Sequence, residues 1–99
     1  MDDFLYYTNL YDVYKDLLTE MQRKYFEDYY FSNLSYGEIS QNNNISRSGV
    51  FRQINLTIKK LEKFENTLHI LEKNKILEEI INNEKDKIIK EELKKIINM

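Results

Sequence analysis

Between Ser46 and Phe64 the chain sets Arg47, Arg52, Lys59, Lys60 and Lys63 against a single acid, Glu62. Among them stand side chains that hydrogen-bond without charge, Ser46, Ser48 and Asn55, and one aromatic, Phe51. Cations at that density, mixed with hydroxyls and an amide, suit phosphate oxygens and base edges. Wound as a helix, Val50, Ile54, Ile58 and Leu61 fall within about 80° of one another, while Ser48, Arg52, Asn55, Lys59 and Lys63 share a different face about 80° wide. The spacing therefore predicts one helix with an apolar side for a core and a basic, polar side for an anion. Phe51 sits beside the apolar stripe and has two readings: packing against the first or second helix, or an exposed aromatic that stacks on RNA or docks a protein.

Other chemistry finds little support. The 99 residues contain no cysteine, which excludes disulfides, thiol catalysis and cysteine-ligated zinc. His69 is the one histidine, with no serine at catalytic spacing, and reads as a packed or surface residue. Acidic side chains form no pair placed for acid–base work, and two glycines, Gly37 and Gly49, make no phosphate-cradling loop. No catalytic residue, metal or cofactor is expected, and the chain is read as a non-enzyme.

The elements that position the basic face follow from spacing. Proline is absent, glycine stands only at Gly37 and Gly49 and 32% of the residues are charged, which excludes most all-β folds that need Gly/Pro turns, so the fold class is all-α, with four to six helices. Phe4, Leu5, Leu10, Val13, Tyr14, Leu17 and Leu18 predict a first helix from Asp2 to Leu18, with Asp2 and Asp3 at its positive end. Thr19-Glu20-Met21-Gln22 is a capping box opening a helix from Glu20 to Phe31, and Ser35-Tyr36-Gly37-Glu38 is a second one. That short third helix stops within Asn42-Asn43-Asn44, because asparagine accepts the left-handed conformation, and Ser46 caps the fourth helix two residues later. The fourth helix either continues to about Lys73 or bends near Phe64. Beyond it, Ile76, Leu77, Ile80 and Ile81 form one stripe and Ile88, Ile89, Leu93, Ile96 and Ile97 another, rotated by roughly 130°. The tail is thus two short helices broken near Asn82-Asn83, or one helix touching two partners.

A short helix, a tight turn and a helix with a basic face form a helix-turn-helix spanning about residues 35–64. On that geometry Arg47 and Ser48 are the first base-edge readers, Phe51 and Asn55 can join them, and Arg52, Lys59 and Lys63 meet phosphates. The net charge of −2 argues mildly against an anionic partner, but residues 1–45 hold eight acids and three bases and residues 65–99 hold eight and seven. The positive field belongs to the middle segment alone. Tyr and Phe total thirteen, all between Phe4 and Phe64, and are read as core packing in a chain without Trp or Ala.

Two resemblances sharpen this reading. Leu34-Ser35-Tyr36-x-Glu38-Ile39-Ser40 followed by Ile45-Ser46-Arg47-Ser48-x-Val50 and Ile54 resembles the C-terminal helix-turn-helix of bacterial sigma factors. Ser40 stands where that group prefers alanine and Asn44 where it prefers glycine; both are compatible with the turn. Leu17-Leu18-Thr19-Glu20-x-Gln22-Arg23, Leu34-Ser35-x-Gly37-Glu38-Ile39, Ser46-Arg47 and Leu68-His69-x-Leu71, within about residues 5–73, resemble the YlxM-like family of small bacterial proteins. That resemblance implies a sigma-like helix-turn-helix protein, encoded beside the signal recognition particle (SRP) GTPase and acting in or regulating that targeting pathway.

The resulting expectations are a helix-turn-helix domain over residues 1–73 and a helical tail over 74–99. Function is read as DNA-binding regulation connected with SRP targeting, with Ser46, Arg47, Ser48, Phe51, Arg52, Asn55, Lys59 and Lys63 as the nucleic-acid-binding set. The alternative is an interaction protein that contacts the SRP GTPase or SRP RNA without binding DNA. The tail offers a helix for a homodimer. No run of about 18 apolar residues occurs and the N-terminus is acidic, so a cytoplasmic protein without a membrane partner is expected.

Overall fold

The structure, a computed structural model, describes Asp2–Met99, apart from the side chain of Asp2. Met1 and that side chain, which the acidic N-terminal reading uses, lie outside the described residues. Six α-helices follow in order: α1 (Asp2–Tyr14), α2 (Glu20–Tyr30), α3 (Tyr36–Asn43), α4 (Arg47–Leu68), α5 (Ile70–Asn83) and α6 (Lys87–Ile97). A 3₁₀ turn, Lys15–Leu17, follows α1, and the described residues contain no strand. The all-α expectation is met. The helices divide into two compact units, residues up to Thr67 and Leu68–Met99.

In the first unit the core is drawn from all four helices. Leu10, Tyr11 and Tyr14 of α1, Tyr25 and Phe26 of α2, Ile39 of α3 and Val50, Ile54, Ile58 and Leu61 of α4 are buried. The apolar stripe read on α4 is therefore the buried one. On α1 the pattern differs from expectation: Phe4, Leu5 and Leu17 are exposed, and Tyr11 takes a core place instead. The cause at Leu17 is the tighter winding after Tyr14, since a turn of three residues in place of 3.6 rotates it away from the stripe. Arg23 closes this corner by donating to the carbonyls of Lys15 and Leu18 at 3.3 and 3.5 Å.

Aromatic rings fill the space that alanine and tryptophan would otherwise share. Tyr11 stacks on Phe26 at 4.5 Å, and Phe26 on Tyr30 at 4.4 Å, joining α1 to α2. The Tyr11 hydroxyl donates to the Glu27 carboxylate, and the buried Tyr14 hydroxyl donates to Glu65 on α4 at 2.5 Å. Thr57, also buried, returns its hydroxyl to the Gln53 carbonyl of its own helix at 2.9 Å. Each of these hydroxyls has an acceptor, as burial requires.

α4 ends at Leu68, between the bend at Phe64 and the continuation to Lys73 that the sequence allows. His69 adopts a left-handed conformation with φ of 55°, a region in which histidine is more frequent than most residues. Its ring lies 3.4 Å from the Glu72 carboxylate in the first turn of α5. Within the second unit α5 and α6 pack together, joined by the residues from Glu84 to Asp86. Asp86 caps α6 by accepting from the amides of Ile88 and Ile89 at 2.8 and 3.2 Å. The tail is thus two helices, broken just after Asn82-Asn83 as the sequence suggests. Leu77, Leu93 and Ile97 are half-buried and Ile81 is buried, whereas Ile76, Ile80, Ile88, Ile89 and Ile96 are exposed.

The connection between α3 and α4 sets a test of the fold. Asn44 has φ of 55° and ψ of 40°, a conformation that costs a residue with a branched Cβ about 1–2 kcal/mol. Asn44→Val is expected to lower the unfolding free energy by that amount, seen as a fall in the urea midpoint with an unchanged slope, while Asn44→Gly holds or raises the midpoint. A Val variant as stable as the parent would show that the turn tolerates another backbone path.

Candidate nucleic-acid interface

The site begins with the cap of α3. The Ser35 hydroxyl accepts from the Glu38 amide at 3.1 Å, and the Glu38 carboxylate accepts from the Ser35 amide at 2.9 Å. The Ser35 backbone N–H and, after it, the Ser35 hydroxyl hold the Glu38 carboxyl below the usual carboxylate range. The same reciprocal bonding joins Thr19 and Gln22 at the head of α2. Both boxes read from the sequence are formed.

Next comes the turn. The Ser40 carbonyl accepts from the amides of Asn44 and, at 3.3 Å, Ile45, while the Ser40 hydroxyl donates to the Ile45 carbonyl. Serine in place of alanine here ties the end of α3 to the entry of α4. Asn43 adds a bond from its amide to the Ile39 carbonyl at 2.8 Å, and Lys24 of α2 donates to the Asn43 side chain at 2.8 Å. α3 is thereby held from behind and its exit direction is set.

At the head of α4 the Ser46 hydroxyl accepts from the Gly49 amide at 3.0 Å and meets the Ser48 hydroxyl at 3.1 Å. Ser46 is therefore already committed as the cap of the helix. A Cβ on Gly49 would stand 3.1 Å from that hydroxyl, so the small residue leaves the cap room. Arg47 reaches back across α3: a Cβ on Gly37 would lie 3.0 Å from its Nε and 3.2 Å from its Cζ. Gly37 thus admits the guanidinium close to the α3 backbone, a role the spacing of the sequence did not disclose.

Beyond this first turn, Ser48, Phe51, Arg52, Lys59 and Lys63 are exposed, as are Ser46 and Arg47, and Asn55 is half-buried. The Asn55 amide donates to the Phe51 carbonyl at 2.9 Å. Lys60 departs from the group, donating to Gln22 of α2 at 3.3 Å with its ammonium 6.0 Å from the Phe64 ring centre. Ser48, Arg52, Asn55, Lys59 and Lys63 thus share the side of α4 away from Val50, Ile54 and Leu61, while Phe51 lies beside that buried stripe, Arg47 turns across α3 and Ser46 is the cap. Leu56, 45% exposed among them, was not selected. Its place on the polar side of the wheel is a signal that a search for charge passes over.

Phe51 is 51% exposed and meets Tyr36 of α3 at right angles, 5.6 Å between ring centres. Tyr36 stacks on Tyr29 of α2 at 4.8 Å. The packing reading of Phe51 had named the first or second helix; its ring contact is with α3, and the rest of the ring is open. Burial, the bond with Tyr29 and the neighbouring tyrosines push the Tyr36 hydroxyl up to about 12, and burial with Tyr29 close by pushes Tyr30 up to about 12.

Comparisons with known proteins agree with this architecture. A family model described as "Putative helix-turn-helix protein, YlxM / p13 like" matches residues 1–99. The UPF0122 protein of Fusobacterium nucleatum subsp. nucleatum is 34% identical over 97 residues, covering 98% of this chain and 94% of that protein. A UPF0122 protein of Thermoanaerobacter sp. is 45% identical over 81 residues, covering 82% and 67%, and one of Halalkalibacterium halodurans is 37% identical over 91 residues, covering 92% and 84%. No solved structure matches the chain.

The raised tyrosines fix an alkaline signature. A phenol whose folded value lies above its unfolded one near 10 stabilises the fold below that pH and loses its contribution as pH rises from about 10 to about 12. Denaturation midpoints should fall across that window in step with phenolate absorbance, and Tyr36→Phe should reduce the fall. A midpoint flat from pH 10 to 12 would contradict the assignment.

Proposed function

We propose, from the premise that this chain belongs to the UPF0122, YlxM/p13-like family of helix-turn-helix proteins, that it binds nucleic acid through the open side of α4. The observation that carries this reading is the division of that helix. Val50, Ile54 and Leu61 are almost completely buried, so the seating of α4 directs Ser48, Arg52, Lys59 and Lys63 outward together. Arg47, lying across Gly37, and Ser48 stand at the end of the helix that enters a major groove first. Arg52, Lys59 and Lys63 follow at spacings suited to phosphates.

The resemblance to YlxM-like proteins supports a regulatory role in SRP-dependent targeting, carried out in the cytoplasm, with DNA or the SRP RNA as the bound partner. If the SRP GTPase is the partner instead, neither nucleic-acid probe shows salt-sensitive binding. Fluorescence anisotropy with DNA duplexes and with SRP RNA separates these cases. Four phosphate contacts give a slope of log K against log salt of about −3 to −4, and removing one of Arg52, Lys59 or Lys63 should reduce it by about 1. Absence of salt-sensitive binding to either probe would refute the reading.

A helix-turn-helix commonly engages two half-sites as a homodimer. The exposed isoleucines of α5 and α6 supply apolar surface for such pairing, Ile88 being 76% and Ile96 51% exposed. Sedimentation of the full chain should then show a dimer that Ile88→Lys with Ile96→Lys converts to monomer. A parent chain that sediments as a monomer at all concentrations removes this part of the proposal.

A further inference from the structure

One feature of α4 is unused by a helix that reads only an intact duplex. Phe51, Arg52, Asn55, Leu56 and Lys59 line an open depression on its outward side. Phe51 and Leu56 form its apolar part, and both stay about half exposed at 51% and 45%. Arg52 and Lys59, seven residues apart, stand about 10 Å from each other along the axis, with Asn55 and Leu56 between them. Phe51 is braced through Tyr36 onto Tyr29, at 5.6 and 4.8 Å, so its ring is held in place while half of it remains open.

The major groove of a paired duplex presents polar base edges, thymine methyls and phosphates. Its base faces are hidden in the stack. An apolar floor bracketed by two cations matches a different object, a nucleotide whose base is out of the stack, with an open π-face and a phosphate on each side. We infer that the depression formed by Phe51, Leu56 and Asn55 takes one unpaired base, with Arg52 and Lys59 on the flanking phosphates. The substrate class is then a duplex interrupted by unpaired nucleotides, as in a bulge or hairpin loop. Asn55 spends one amide hydrogen on the Phe51 carbonyl, and its carboxamide oxygen supplies an acceptor for a base edge. This inference rests on the proposed nucleic-acid reading and narrows its target.

The chain contains no tryptophan, so Phe51→Trp installs a sole indole at the site. The probes are a fully paired duplex and the same duplex carrying a single-base bulge, each made as DNA and as RNA. Bulged probes should quench the indole and bind the parent chain more tightly than paired ones. Phe51→Ala should weaken bulge binding by about 5- to 150-fold, the range measured for base stacking on an aromatic, and weaken paired binding by clearly less, so that the preference for the bulge is lost. Phe51→Leu, which keeps an apolar side chain, should fall between them. Equal affinity for paired and bulged probes, or an indole blind to the bulge, overturns the inference while salt-dependent binding still upholds the nucleic-acid reading. Loss on Phe51→Ala that follows thymine, and vanishes when deoxyuridine replaces it in a paired duplex, overturns the inference in favour of a methyl contact. If no probe shows salt-dependent binding, the proposed function falls first and the inference with it. The DNA and RNA arms decide whether the 2′-hydroxyl contributes.

Discussion

The left-handed residue between α3 and α4 is the constraint on which the remainder depends. A chain leaving a right-handed helix can reverse direction within three residues only by visiting a conformation that most side chains resist. Asn44 supplies it, and Ser40 closes the reversal by accepting two amides with its carbonyl and donating its hydroxyl to Ile45. Ser46 then starts α4 at once. Because Ile39 and Val50 are both completely buried on either side of the turn, a change in its path would shift two core residues as well as the helix direction. The orientation of Arg47, Ser48 and Arg52 is therefore a consequence of core packing transmitted through one backbone geometry.

Local signals carried most of this fold. The two capping boxes, at Thr19 and Ser35, depend on bonds within four residues, so their spacing in the sequence is nearly the structure itself. The αL stop at Asn44 and the buried stripe of α4 were legible for the same reason. What escaped depends on contacts between distant residues or on small energy differences. Leu17 loses its core place to a 3₁₀ turn, and the end of α4 falls at His69, where the histidine conformation is admissible but not signalled by a glycine or proline. At the candidate site the basic residues could be read from their angles, whereas the approach of Arg47 to Gly37 and the right-angle brace of Tyr36 on Phe51 needed α3 and α4 to be side by side.

The acidity of the first 45 residues looks, from the sequence, like a property unrelated to the basic helix. The packing offers a reason for part of it. A core that buries Tyr11, Tyr14 and Tyr25 in a chain without tryptophan or alanine brings hydroxyl groups toward the interior, and each requires an acceptor. Glu27 accepts from Tyr11 and Glu38 is occupied at the cap of α3, while Glu65, outside the first 45 residues, serves Tyr14 in the same way. These carboxylates serve the scaffold through short-range bonds. In water at physiological salt, charges separated by more than about 8 Å are largely screened, so acids engaged within the bundle need not cancel the field over the outward side of α4. Net charge then becomes a poor guide to partner. The relevant quantity is the local balance around Arg47, Arg52, Lys59 and Lys63, where Glu62 is the one acid within the span of sequence from Ser46 to Phe64.

Lys60 shows how that local balance is selected. It belongs to the same basic run, yet its ammonium turns to Gln22 and lies over the edge of the aromatic core at Phe64. A long aliphatic stem covering apolar surface while its charge finds a polar partner is ordinary for lysine. The effect here is to subtract one cation from the outward side and add a tie between α4 and α2. Spacing alone counts five positive charges in this segment; packing leaves four exposed without that tie, and two of them, Arg52 and Lys59, flank the aromatic and aliphatic surface of Phe51 and Leu56. An arrangement for phosphate alone would place polar groups in that interval. The apolar surface between the two cations matches a base presented face-on, the part of a nucleic acid with the chemistry to cover it.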